Sequence, residues 1–326
     1  MTTQGTAAGL VDWRTVERLT ALIPAGPSAS RSARASSVAV LRRSAQEAPA
    51  WVARITGLNR AAQQVAETTR VSVVDRAGLV RASTRALRGL MEQVPAPQAS
   101  EAVRLVGAAE MAGAMSLLAT RLLGQVVPAA GTGADGDGGR GGEASPHLLL
   151  VAPNVLAMRR QLDLDMLDLP AWVCLHEMTH AVQLAAAPWL GPYLSDSMRM
   201  VIGAVVEAVY GGPGGGADGT GEQGLRRRPG RAARIAARAG RGRVLEGLTN
   251  FKERSEVASL AAALTFLEGH AEVVLDDVHP NRMPSVHRLR AVLSRSRAAD
   301  AGIGPGPGLG SLLLHRLMGL EAKEAQ

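Results

Sequence analysis

The segment from Trp172 to Val182 constrains the fold most, because it carries His176-Glu177-Met178-Thr179-His180 with only uncharged residues on either side. Residues four apart lie on one face of a helix, so His176 and His180 can bind a single metal ion. Glu177 is rotated by about 100° from the first histidine, which puts its carboxylate beside the open coordination position. There it can act as a base toward a water activated by Zn²⁺. The alternative is a core helix that happens to carry two histidines.

A catalytic zinc site usually has three protein ligands, so a third must come from elsewhere in the chain. Glu268 is favoured because it shares a helical face with an apolar stripe, where an unpaired carboxylate is costly. Glu272, one turn later, can hydrogen-bond a ligand histidine. His270 is the rival ligand, but it lies about 200° around the helix from Glu268 and is otherwise expected in the substrate cleft or the core. The plainer alternative makes Glu268 and Glu272 half-exposed charges on an ordinary helix.

Composition bounds the class of protein. With 326 residues, 46% of them hydrophobic, the chain can bury a core as one large domain or as a domain with a helical appendage. The single Cys174 excludes an internal disulfide and is expected to be a buried structural residue, although it lies close enough to His176 to reach a metal. Neither a secretory signal nor an apolar run of about 20 residues is visible, which predicts a cytoplasmic protein without a membrane span.

The formal charge of +7 raises the question of nucleic-acid binding. Much of the excess lies between Arg226 and Arg243, where no aromatic residue is interleaved to stack on bases. The pattern therefore favours a solvated basic segment over a nucleic-acid site.

Periodicity predicts helices connected by glycine-rich loops. The expected helices are 11–22, 37–55, 99–123, 194–210, 256–272, 286–297 and 309–320. Short strands are expected at 71–76, before a turn at Ala77-Gly78, and at 147–151, before a helix capped by Asn154. In zinc peptidases an edge strand over the active helix can pair with an extended substrate, and the strand at 147–151 is the candidate for that role. Pro170 is expected in the first turn of the motif helix.

Several blocks together resemble the zincin-like metallopeptidases of actinobacteria and their relatives, often labelled as associated with coenzyme F420 biosynthesis. The blocks are Val11-Asp12-Trp13, Val73-Val74-Asp75-Arg76, Leu149 to Asn154, Trp172 to Gln183, Pro188-Trp189-Leu190 and Leu267 to Glu272. The resemblance implies an α+β, predominantly helical zincin-like fold with a small sheet beside the motif helix. It also implies His176, His180 and Glu268 as zinc ligands, Glu177 as the catalytic base and Glu272 as a second acidic residue.

The predicted organisation is an N-terminal helical region with a short strand (1–145), a zincin core (146–300) with a glycine- and arginine-rich insertion at about 211–243, and a tail helix (301–326). The predicted function is a zinc-dependent hydrolase, a peptidase acting on a peptide or protein. The alternative is a zincin-fold binding or regulatory protein without turnover.

Overall fold

The structure, a computed structural model, describes residues 5–127, 146–210 and 251–299. The glycine-rich loops expected at 131–142 and 211–224, the arginine-rich segment 226–243 and the helix expected at 309–320 lie outside these ranges. The described helices are α1 (Trp13–Thr20), α2 (Arg31–Thr56), α3 (Asn59–Thr68), α4 (Arg76–Glu92), α5 (Glu101–Arg121), α6 (Ala152–Gln161), α7 (Asp168–Ala186), α8 (Leu190–Tyr210), α9 (Phe251–Asp276) and α10 (Val286–Ala299). The strands are β1 (Gly5–Thr6), β2 (Arg70–Val74), β3 (Pro95–Ala96), β4 (Gly124–Val127) and β5 (His147–Val151), and a 3-10 turn spans Ala7–Leu10.

The larger sheet has the order β2-β5-β4, with β5 parallel to β2 and antiparallel to β4. The strand predicted at 147–151 is confirmed, but its assignment as the edge strand is wrong. Strand β5 lies in the centre of the sheet. Its apolar residues from Leu148 to Val151 are all buried, which is typical of a strand covered on both faces. The edge beside the motif helix is β4, a strand that the sequence analysis missed.

Helix α7 carries the motif and is buried over most of its length. Its start is fixed by Asp165, whose Oδ1 accepts hydrogen bonds from the backbone N–H groups of Leu167 (2.7 Å) and Asp168 (2.9 Å). Pro170 lies in the first turn, as predicted. The helix packs on α2, where Cys174 is fully buried with its Sγ 3.5 Å from the carbonyl oxygen of Leu41. Cys174 is therefore a core residue.

The main apolar core combines side chains from both halves of the chain. Leu41 and Val52 of α2 lie in the same cluster as Trp172 and Leu175 of α7, and Leu150 of the central strand joins them. Because aromatic residues are few, aliphatic side chains fill this core. The predominantly helical α+β fold with a small sheet beside the motif helix is confirmed.

Two local expectations are wrong. Ala77 and Gly78 do not form a turn between elements but lie in the first turn of α4, which Asp75 caps by accepting a hydrogen bond from the N–H of Gly78 (2.7 Å). Asn154 does not cap a helix, since α6 already begins at Ala152. Asn154 therefore lies inside the first turn of α6, where its side chain is free to bond to other segments.

Asn154 is buried and joins three segments of the chain. Its Nδ2 donates to the carbonyl oxygens of Ala119 (2.8 Å) and Leu122 (2.6 Å) at the end of α5. Its Oδ1 accepts from Nε of Arg76 (2.7 Å), and the same guanidinium donates to the carbonyl oxygen of Pro24 (2.9 Å). This Asn154 network connects α4, α5 and α6.

Two described helical segments, Glu101–Arg121 and Ser255–Asp276, are long and apolar enough to cross a membrane by length and composition. This differs from the expectation drawn from the sequence. Both segments also supply core residues, such as Met115 of α5 and Leu275 of α9. Core helices of other proteins meet the same criterion, so it is weak evidence for a span.

Candidate metal centre

His176 and His180 present their imidazoles together on one face of α7. Their Nε2 atoms are 3.2 Å apart, and the rings meet edge to face with centroids separated by 4.8 Å. The side chains are only 11% and 14% exposed. The four-residue spacing thus produces the pair of convergent nitrogens that the sequence predicts.

Glu268 approaches the pair from α9. Its Oε2 lies 3.4 Å from Nε2 of His176 and its Oε1 lies 3.4 Å from Nε2 of His180. The apolar stripe on which Glu268 was expected is present, with Ala271 and Leu275 buried on the same helix. A carboxylate in that setting is costly unless it is paired, and here it is paired with both imidazoles.

The three side chains fit a zinc ion by their spacing. Zinc bonds of about 2.0–2.2 Å in tetrahedral geometry place neighbouring ligand atoms about 3.3–3.6 Å apart. The two Nε2 atoms are 3.2 Å apart and each lies 3.4 Å from a different oxygen of Glu268, so the three side chains are close enough to share one ion. Within the described residues these three side chains form a group able to hold a metal ion.

The ligand candidates strongly affect each other's charge. Burial alone would lower the pKa of His180, but the hydrogen bond and charge of Glu268 outweigh it and raise that pKa to about 9. Burial would raise the pKa of Glu268, but the two imidazoles hold it well below its usual range. Without a cation the cluster therefore binds a proton tightly, and a metal ion must displace that proton.

Glu177 is buried on the side of α7 that faces β4. The backbone N–H of Val126 donates to its carboxylate, and its Oε2 meets no hydrogen-bond donor among the described residues. Burial raises the pKa of Glu177, opposed by the two neighbouring histidines. A carboxylate with a raised pKa and one unpaired oxygen is suited to accepting a proton.

Gly124 makes room for this carboxylate. A Cβ atom at position 124 would lie 2.7 Å from Cγ of Glu177 and 3.0 Å from its Cδ. Only glycine allows β4 to approach this closely, so β4 determines where the Glu177 side chain can lie.

Like Gly124 and Val126, Gln183 is a site residue that was not predicted from the sequence. Its Oε1 lies 2.8 Å from Nδ1 of His180, and its Nε2 lies 2.9 Å from the carbonyl oxygen of Leu267 and 2.8 Å from Nδ1 of His270. The available signal was its spacing, since residue 183 follows His180 by three and so lies on the same helical face.

The remaining predicted residues lie around this group. His270 contacts Gln183 at the interface of α7 and α9 rather than joining the three converging side chains. Glu272 is exposed on α9, and its support of a ligand histidine stays a prediction.

Together the fold and the site define a candidate metal centre in which a His-Glu-x-x-His helix is joined by a glutamate from a second helix. Residues 11–326 match the zincin-like metallopeptidase family, so the chain belongs to that family. No curated protein matches the chain.

A solved structure from Chloroflexus aurantiacus, described as "a putative hydrolase with a novel fold", is similar with a TM-score of 0.56. The two chains are 19% identical, and the match covers 97% of this chain and 83% of that one. At this identity the similarity concerns the fold.

Proposed function

We propose that the protein is a zinc-dependent hydrolase that cleaves amide bonds in peptides. The observation that supports this function best is the convergence of His176, His180 and Glu268 at 3.2–3.4 Å, next to a buried carboxylate with one unpaired oxygen. Membership of a metallopeptidase family supports the same class of reaction.

The chain's own residues have distinct roles in this proposal. His176, His180 and Glu268 hold the ion, which when bound supplies a Lewis acid that polarises a carbonyl and acidifies a water. Glu177 takes the proton from the attacking water at its unpaired Oε2 and passes it to the departing amine. The hydrogen bond from Val126 and the close approach of Gly124 hold the carboxylate in one place while it does so.

The position of strand β4 is an argument for an extended peptide as the substrate. Backbone groups of alternate residues point to alternate sides of a strand. The carbonyl oxygen of Leu123 accepts from the N–H of Val151 on the β5 side, whereas the N–H of Val126 points the other way, toward Glu177. The outer edge of β4 thus lies next to the proposed base, and in this proposal the outward backbone groups that Glu177 does not use pair with the substrate backbone.

The alternative is a zincin-fold binding protein without turnover. Such a protein would have no need of the Glu177 carboxylate. A purely structural ion gains nothing from a buried carboxylate beside it, and burying that carboxylate without full pairing is costly. Its position therefore favours an enzyme.

The decisive experiment is elemental analysis of purified protein, with Glu268→Ala and His270→Ala prepared identically. We expect about one zinc ion per chain in the wild type. Glu268→Ala should lose zinc affinity by more than the roughly 10–100-fold that loss of a supporting residue costs, and His270→Ala should retain the ion. A wild type that neither retains nor regains zinc contradicts the proposal.

Turnover is tested separately by digesting a proteome-derived peptide library with zinc-loaded and chelator-treated protein and identifying new termini by mass spectrometry. Cleavage that needs zinc supports a peptidase. Zinc binding without cleavage supports the binding or regulatory alternative.

Narrower predictions accompany this proposal. A place among the actinobacterial, F420-associated members and a cytoplasmic location stay predictions from the sequence. The domain boundaries and the absence of nucleic-acid binding by 226–243 also stay predictions.

A further inference from the structure

We propose that Gln183 is a positioning residue that fixes His180 as a ligand and ties the two ligand-bearing helices together. This inference rests on the proposed zinc site. It concerns how that site is prepared for the ion rather than which residues touch it.

The orientation of the Gln183 amide follows from its partners. The carbonyl oxygen of Leu267 can only accept, so the group facing it at 2.9 Å must be the amide nitrogen. The amide oxygen then faces Nδ1 of His180 at 2.8 Å. The reverse orientation would put two acceptors against each other at Leu267.

The amide orientation determines which imidazole nitrogen keeps its proton. Because an amide oxygen can only accept, Nδ1 of His180 must carry a hydrogen. In the neutral ring, the lone pair needed for a metal is then on Nε2, the atom that lies 3.2 Å from Nε2 of His176 and 3.4 Å from Glu268. Gln183 therefore selects the tautomer of His180 that can bind the ion.

The second half of the amide acts on α9. One N–H of Gln183 bonds to Leu267, the residue directly before Glu268, and the other donates to Nδ1 of His270. Every hydrogen-bonding atom of the side chain thus has a partner, and a single amide connects His180 with the segment that carries Glu268. A side chain held at three points cannot rotate without breaking the connection.

Cobalt(II) binding to the metal-free full-length protein tests this role, because cobalt replaces zinc and its visible spectrum reports ligand geometry. Gln183→Met keeps the length of the side chain and removes all three hydrogen bonds. We expect its cobalt affinity to fall roughly 10–100-fold, with a changed visible spectrum. Gln183→Glu keeps an acceptor for Nδ1 of His180 but places its second oxygen against the carbonyl oxygen of Leu267, so its cobalt affinity should fall less than that of Gln183→Met without reaching that of the wild type.

Gln125→Met is the matched control. Gln125 is also a buried glutamine, and it contacts the hydroxyl of Ser83 at 3.2 Å, on the side of β4 away from α7. Its replacement removes a buried amide without touching the metal centre, so the cobalt spectrum should not change. Thermal unfolding of all variants identifies any that fail to fold.

The outcomes separate the two proposals. Wild-type protein that binds no cobalt overturns the zinc site and this inference with it. Wild-type binding accompanied by unchanged affinity and spectrum in Gln183→Met overturns the role of Gln183 alone. Equal losses in Gln183→Glu and Gln183→Met also overturn it, because the acceptor for His180 would then be irrelevant.

Discussion

The protein contains two buried polar groups of side chains that differ in how completely they are paired. In the Asn154 network, both the amide nitrogen and the amide oxygen of Asn154 have partners from other segments. In the metal centre, three ligand atoms point at one another and Oε2 of Glu177 has no donor among the described residues. Both groups connect segments that are distant in the sequence, but only in the Asn154 network do all the polar atoms of the central side chain have partners.

The difference separates a structural role from a chemical one. An unpaired buried polar group costs about 1–3 kcal/mol, so a fold keeps one only where another requirement outweighs that cost. In the Asn154 network no such cost arises, because the nitrogen and the oxygen of the Asn154 amide both have hydrogen-bond partners. In the candidate metal centre, the three converging side chains could bind a cation, and Oε2 of Glu177 is free of a hydrogen-bond donor among the described residues and could accept a proton.

Glu177→Gln tests the proposed chemical role and should have the largest effect of these variants, on the rate of peptide cleavage. Zinc binding should persist, because Glu177 is not one of the three converging ligands. Peptide cleavage should fall by roughly 10²–10⁴-fold, the usual contribution of a general base. Cleavage rates and zinc content measured on the same preparations check this, and a rate within threefold of wild type would rule out Glu177 as the base.

Asn154→Ala tests the structural side. It removes the partner of Arg76 and of two carbonyl oxygens, and we expect a loss of about 2–4 kcal/mol in the free energy of unfolding. Denaturant unfolding measures the loss. Zinc stoichiometry of the folded protein should not change.

Asn59→Ala is the control for that experiment, since Asn59 is exposed at the start of α3 and its replacement should cost less than about 0.5 kcal/mol. If Asn154→Ala lost zinc while remaining folded, the two networks would not be independent.

Gly124→Ala connects the two sides, because it perturbs the position of Glu177 without changing its chemistry. The added Cβ would lie 2.7 Å from Cγ of Glu177, so the carboxylate must move. We expect cleavage to slow about 10–100-fold through misplacement of the base. Gly113→Ala has open space around its new Cβ and should leave cleavage unchanged. Equal rates for the two variants would show that β4 does not position the base.

The pH dependence of stability should show the smallest effect. The pKa of His180 is raised to about 9, so its contribution to the stability of metal-free protein is complete below pH 6.5 and is lost as the pH rises through 9. The pKa of Glu268 is lowered, so its contribution is present above pH 4.5 and is lost as the pH falls well below that value. Metal-free protein should therefore lose stability between pH 6.5 and 9.

Zinc should reverse that slope, because the proton on His180 competes with the ion and leaves as the pH rises. Thermal unfolding across this pH range, with and without zinc, measures both trends. In metal-free Glu268→Gln the decline should disappear. A decline that persists there would assign it to other groups.

Sequence spacing predicted the parts of the site that lie within one helix. His176, Glu177 and His180 follow from helical periodicity alone, and Glu268 follows from the cost of a carboxylate on an apolar stripe. The contact between α7 and α9 that gives Gln183 its partners depends on tertiary packing, and spacing on one helix does not encode it.

The errors in the fold have similar causes. Strand β4 has only four residues and begins with Gly124, so it carries little periodic signal. Helix α4 begins directly after a strand with Gly78 in its first turn, where glycine suggested a turn instead. Asn154 has the composition of a cap, but its side chain is used for long-range hydrogen bonds.

The distribution of ligands over α7 and α9 also sets an order of assembly. During synthesis from the N-terminus, His176 and His180 emerge well before Glu268. In the proposed zinc site, two imidazoles alone would hold the ion weakly, so firm uptake would follow the docking of α9 against α7. The proposed hydrolytic centre would then form only after the two helices that carry it have packed together.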